Sequence, residues 1–139
     1  MTNKHTSYGV IPICVNKEGT KEYLLLQSHG GYWGFPKGGP EAGEVPKDTA
    51  IREIFEETGI TVKESQLTSS IKYCYEQPIE GLNQTKCVVL YPVRLVVKNV
   101  SIQQKEIAES RWVSCEEAIS LINLPSIAEP LKQVESMSI

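Results

Sequence analysis

Glu53, Glu56 and Glu57 crowd three carboxylates into five residues, within the run Arg52-Glu-Ile-Phe-Glu-Glu-Thr-Gly59. On a helix, at about 100° per residue, the three project from an arc of roughly 100°. Ala50, Ile51, Ile54 and Phe55 take the opposite arc and are expected to face the core. Like charges at these spacings disfavour a helix by a few tenths of a kcal/mol per pair in water. Beside an apolar wall, at about 6 Å and an effective dielectric constant near 20, the repulsion rises to roughly 2–3 kcal/mol. A cation would relieve it. Oxygen donors with no thiol or imidazole nearby suit a hard divalent ion such as Mg²⁺ or Mn²⁺ better than zinc. A solvated acidic helix face would use the same residues, so the decision rests on what precedes the helix.

Reading backward from the stripe, the spacing is Gly38-x5-Glu44-x7-Arg52-Glu53-Ile54-x-Glu56-Glu57-x-Gly59-Ile60. This stretch resembles the Nudix box at nine specified positions over 23 residues, with Ile54 and Ile60 in the two bulky aliphatic slots. The resemblance implies a hydrolase of nucleoside diphosphates linked to another moiety, with a fold in the α/β class (α+β), an α/β/α sandwich around a mixed sheet. It implies that Glu53, Glu56 and Glu57 are metal ligands and that the Gly38 carbonyl joins them. Glu44 and Arg52 would form an ion pair bracing that carbonyl on the helix, an outer support of the kind metal ligands need. One glutamate would serve as general base. A divalent ion neutralises the charge that accumulates on phosphate oxygens and lowers the pKa of the attacking water, so no nucleophilic side chain is required. None stands out: His5 falls in a polar tail, and His29 has no serine or cysteine partner.

Outside the box, Trp33-Gly-Phe-Pro-Lys37-Gly38 and the preceding Tyr23-Leu-Leu-Leu-Gln-Ser28 resemble the asymmetrical diadenosine tetraphosphate hydrolases. In that group the histidine lies closer to the tryptophan than His29 lies to Trp33. The resemblance runs from about Gly9 to Leu131. It implies phosphate contacts from Lys37, Lys86 and His29, adenine stacking on Tyr75, and a loop glutamate, Glu106, that joins the metal site. Each residue also has an ordinary role open to it: Lys37 as a loop lysine, Lys86 as a strand-entrance lysine, Glu106 as a surface residue. Tyr73 and Tyr75, two apart on a strand, share a face and could simply pack there. The principal expectation is Mg²⁺-dependent hydrolysis of diadenosine tetraphosphate to ATP and AMP. A 5′-end RNA pyrophosphohydrolase, a nucleotide-sanitising enzyme and a non-catalytic nucleotide-binding module are the alternatives. A diphosphoinositol polyphosphate phosphohydrolase ranks below them, because its crowded phosphates call for a basic cluster that this sequence lacks.

These residues need elements to hold them. Tyr8–Val15 and Glu22–Ser28 read as a hairpin, with Pro12 marking an edge or bulge. The segment from His29 to Pro46 holds six glycines and three prolines, too many for a regular element. Pro46–Thr58 has helical periodicity, with Pro46 in its first turn and Gly59 as its stop. Leu67–Glu76 and Lys86–Lys98 read as strands joined by a loop at Gln77–Gln84. Trp112-Val113 leads into a helix whose Ser114 and Glu117 match a capping box, and an amphipathic stretch at Ser126–Val134 closes the chain. Strands, helix, strands and closing helices in that order suit a layered α+β domain rather than repeated βαβ winding.

The 139 residues make one domain, with a polar tail at about 1–7 and a short one at 135–139. Hydrophobic residues at 40% and charged ones at 22% are ordinary for a globular chain. A net charge of −3 gives no basic field for a nucleic acid or membrane, so an anionic substrate must be neutralised locally. The expected partner is a small nucleotide polyphosphate, and monomer and homodimer are both compatible with it. No signal peptide or membrane-length apolar run is present, pointing to a cytoplasmic protein. Cys14, Cys74, Cys87 and Cys115 include no C-x-x-C pair and are expected to be free thiols.

Overall fold

The structure, a computed structural model, describes residues 4–139. The elements in chain order are strands β1 (Lys4–Val15) and β2 (Lys21–Ser28), the short strands β3 (Trp33–Gly34) and β4 (Lys37–Gly38), and helix α1 (Pro46–Thr58). Strands β5 (Ile71–Ile79), β6 (Leu82–Arg94) and β7 (Ile107–Val113) follow, then helices α2 (Cys115–Ile122) and α3 (Ala128–Ser136). Among the described residues the strands form one mixed sheet in the order β3-β2-β1-β6-β5, with β4 on β1 and β7 on β2. β1 and β6 run parallel; the remaining pairings are antiparallel.

Side-chain alternation along β1 divides the core. Val10 packs with Ala50 and Ile54 of α1, whereas Ile11 and Ile13 pack with Ala118, Ile122, Leu131 and Val134 of α2 and α3. One helix covers one face and two cover the other, the expected sandwich. α1 keeps its predicted bounds, with Pro46 in the first turn and Gly59 left-handed at φ 74°, its N–H bonded to the Phe55 carbonyl. Ser114 caps α2 by accepting the Glu117 N–H at 3.2 Å.

Several expectations change. Pro12 lies in an interior strand. Val10 N–H bonds the Pro36 carbonyl, and Pro12, two residues on, aims its missing N–H the same way. That direction falls between the β4 pairing at Tyr8 and Gly9 and the β2 pairing at Ile13–Val15, where no partner strand needs a donor. The loop expected at Gln77–Gln84 shrinks to Glu80-Gly81, whose φ values of 52° and 78° suit a tight hairpin turn. The polar tail gives up Lys4–Ser7 to β1, where His5 registers with Lys86; residues 1–3 lie outside the described ones. The C-terminal tail docks: Met137 and Ile139 pack on the core, and the Ile139 carbonyl accepts from Arg94. Cys14 and Cys115 are buried thiols, but Cys74 and Cys87 form a disulfide. They are distant in sequence pattern yet directly opposite in the β5–β6 register. Phe55, expected inside, is 56% exposed. The buried stripe of α1 runs instead through Ala50, Ile54 and Glu57, spaced i, i+4, i+7.

Candidate active site

That rotation of α1 turns Glu57 inward. Its side chain is buried, 8% exposed, while Glu56 remains half exposed beside Arg52. Burial, and then hydrogen bonding and repulsion from Glu53, push the Glu57 carboxyl up to about 9, against the opposing pull of Lys37. Lys37 is pushed down, chiefly by burial, with Glu57 acting the other way and Lys86 adding to the fall. Gly38 has to be glycine for contact reasons: a Cβ there would lie 2.2 Å from the Glu53 carboxyl carbon.

Arg52 organises the strand-to-helix connection. Its Nε donates to Glu44 Oε2 at 2.7 Å and its Nη2 to Glu44 Oε1 at 3.0 Å. Nη1 donates to Glu53 at 2.9 Å and Glu56 at 3.2 Å. Glu44 also accepts from the Glu41 N–H and the Thr49 hydroxyl. The hydrogen bond to Arg52 is the largest of the causes that hold its carboxyl down at about 2. The ion pair is therefore as expected, but the carbonyl it braces is that of Gly39, bonded to Nη2 at 3.0 Å, rather than that of Gly38.

A cavity of about 560 Å³ opens beside this helix. Lys37, Glu57, Tyr75, Lys86 and Glu106 all line it, so residues far apart in the sequence meet on one surface. Tyr73 lines it too, its ring centroid 6.3 Å from that of Tyr75 with the planes 19° apart. Burial raises both phenol pKa values. Strand register explains the grouping: Tyr75 lies opposite Lys86 across the β5–β6 pair. Arg111 stacks over Trp33, 4.8 Å from the ring centroid, and fixes that wall of the cavity. His29 is not part of this lining; its Nε2 bonds the Gln104 carbonyl at 2.7 Å.

Sequence reasoning missed Gln103. Its N–H bonds the Glu57 carbonyl at 3.1 Å, and the Ser101 N–H bonds the Thr58 carbonyl at 2.9 Å, so this loop satisfies carbonyls that the end of α1 leaves open. No local signal marks such a contact, because it joins backbone groups brought together by the fold.

Among the described residues no three acidic, histidine or cysteine side chains already converge on one point. Glu53 and Glu57 do meet, and the Glu57 pKa is raised by its burial first and by the neighbouring Glu53 carboxylate second. An all-oxygen pair under that strain fits a hard divalent cation.

The NUDIX domain family profile matches residues 3–134. The asymmetrical bis(5′-nucleosyl)-tetraphosphatase of Mus musculus is 34% identical over 117 residues, which span 82% of this chain and 78% of the mouse protein. The C. elegans Ap4A hydrolase in a binary complex superposes with a TM-score of 0.74 at 23% identity, over 95% of this chain and 96% of that one. The MutT protein from Methanosarcina mazei Go1 gives a TM-score of 0.71 at 24% identity, over 95% and 93%. These two likenesses speak to the fold.

Proposed function

Because the chain belongs to the NUDIX domain family, and so is a Nudix pyrophosphohydrolase, we propose that its substrate is a dinucleoside polyphosphate and its reaction the asymmetrical hydrolysis of diadenosine tetraphosphate to ATP and AMP. The observation that carries this reading is the shared cavity, where the near-parallel Tyr73 and Tyr75 rings adjoin Lys37, Lys86 and Glu57. An aromatic face accepts a nucleobase, and stacking of this kind is worth about 1–3 kcal/mol per base. The two lysines accept the polyphosphate that follows it.

In this reading Tyr75 stacks the adenine, and Lys37 and Lys86 draw the chain of phosphates toward α1. Glu53, Glu56 and Glu57, with the Gly38 carbonyl and Glu106, would hold Mg²⁺, for which Mn²⁺ could substitute. Glu56 would have to leave Arg52 to take part. When bound, the metal supplies charge neutralisation at the phosphate oxygens and acidifies water. One carboxylate of the group removes the proton of the attacking water as its oxygen bonds phosphorus. The bridging P–O bond breaks, and the departing phosphate oxygen carries away the electron pair. Lys37 and Lys86 offset the charge that develops. The relationship to the mouse tetraphosphatase supports this choice of substrate. Among the described residues no helix is long and apolar enough to cross a membrane, and the reading places the enzyme in the cytoplasm acting on a free nucleotide.

A chromatographic product assay with Mg²⁺ tests it, offering diadenosine tetraphosphate, dNTPs, ADP-ribose and 5′-triphosphorylated RNA in parallel. ATP plus AMP at the highest kcat/KM of the panel is expected. Preferential turnover of another member would keep the hydrolase chemistry and overturn the roles given to Lys37, Lys86 and Tyr75. Tight nucleotide binding without turnover under any divalent ion would favour a binding module.

A further inference from the structure

Glu106 sits on the loop between β6 and β7, and that loop is fastened unevenly. Its first part is tied to the end of α1 through Ser101 and Gln103. Its last part is a turn closed on the Gln103 carbonyl, which accepts from the Glu106 N–H at 3.2 Å and the Ile107 N–H at 2.9 Å. Gln104, Lys105 and Glu106 are all exposed. Among the described residues, the side-chain hydrogen bond reaching this turn from outside comes from His29 Nε2, at 2.7 Å from the Gln104 carbonyl.

Local structure brings the histidine there. β2 pairs with β7 up to Ser28 opposite Ile107, and the register shifts between Gln27 and Ser28. Such bulges re-aim the side chains beside them. His29 and Glu106 thus stand just beyond the paired ends of adjacent strands. A carbonyl only accepts, so Nε2 carries the hydrogen, as it does in one neutral tautomer and in the imidazolium.

We propose that His29 is a positioning residue for Glu106: by holding the Gln104 carbonyl it keeps the turn, and with it the Glu106 carboxylate, at the wall of the cavity. This rests on the hydrolase reading above, and it replaces the phosphate contact expected of His29 from the sequence.

The test is a double-mutant cycle of His29→Ala and Glu106→Gln, joined to amide hydrogen exchange of the metal-free protein. His29→Ala is expected to speed exchange at the Glu106 and Ile107 amides and to lower kcat by roughly two- to tenfold, the worth of one ordinary hydrogen bond. KM for diadenosine tetraphosphate should stay unchanged. His29→Gln, which retains a donor of similar reach, should restore both readouts. In the Glu106→Gln background, removal of His29 should cause no further loss. A raised KM that persists in that background would overturn the proposal in favour of direct phosphate contact, and unaltered exchange would overturn the latch itself. If wild-type protein hydrolyses no phosphoanhydride, the hydrolase reading fails, while faster exchange in His29→Ala would still uphold the latch.

Discussion

Arg52 grips Glu44 with two parallel hydrogen bonds, Nε to Oε2 at 2.7 Å and Nη2 to Oε1 at 3.0 Å. Two-pronged arginine–carboxylate pairs add geometric definition as well as strength. Here the pair fastens the glycine-rich loop onto α1, and the same guanidinium reaches the Gly39 carbonyl, Glu53 and Glu56. One cation thus balances Glu44, Glu53 and Glu56 at once.

Arg52→Lys keeps the charge and loses the fork, and Arg52→Ala loses both. Both variants should weaken divalent-cation affinity, Arg52→Ala by roughly 10–100-fold, as expected when an outer support of a metal site is removed. Mn²⁺ titration followed by electron paramagnetic resonance measures this. A lysine variant that binds as tightly as wild type would show that charge alone suffices.

Acid should unlock the same pair. The Glu44 carboxyl is held down at about 2 in the folded protein by the Arg52 hydrogen bond above all. Its folded value lies below its unfolded one, so the unfolded chain binds more protons between them. The stabilisation is present above about pH 4.5 and is lost as pH falls toward 2. Thermal melts of wild type and Glu44→Gln across this window should converge as pH drops.

Glu57 has the opposite sign. Its carboxyl is raised to about 9, so the metal-free folded state retains a proton that the unfolded state releases. Metal-free stability should therefore fall as pH rises from about 4.5 toward 9. Mg²⁺ needs the carboxylate form, so its stabilising effect should grow over pH 6 to 9. Calorimetry with and without Mg²⁺ checks both statements. Glu57→Gln should flatten the metal-free slope, abolish most turnover and fold normally.

Tyr75 tests the nucleobase side of the cavity. Tyr75→Ala should raise KM for diadenosine tetraphosphate by roughly tenfold, within the range of one lost base stack. Tyr75→Phe should leave it near wild type, since stacking needs the ring and not the hydroxyl. Equal losses in the two variants would point to a hydroxyl contact instead.

The Cys74–Cys87 bond can be probed by reduction. Residues 13 apart in sequence close a short loop, and the chain-entropy argument assigns such a cross-link about 3 kcal/mol. Denaturant unfolding with and without reductant should differ by up to that amount. The β5–β6 register is also held by its hydrogen bonds and by Tyr73, so turnover of the reduced protein should persist.

Several features were legible in the amino-acid order because they are local. Gly38, Glu44, Arg52 and the three glutamates follow one another along β4, one loop and one helix, so their spacing carried the resemblance to the Nudix box. The bounds of α1 followed from Pro46 and Gly59, whose backbone preferences act within a turn of themselves. The layered α+β architecture followed from the order of periodicities. Tertiary packing decided the remainder. Which side of α1 is buried depends on what the sheet presents to it, so Phe55 faces outward and Glu57 inward. Strand register set Cys74 against Cys87 and Tyr75 against Lys86. Where the β2–β7 register skips Ala108, β2 is followed by a histidine that meets the Gln104 carbonyl 75 residues away. Which residues face each other across a register, and which distant carbonyl a side chain reaches, depend on segments far apart in the chain, so no local pattern of residue types marks them.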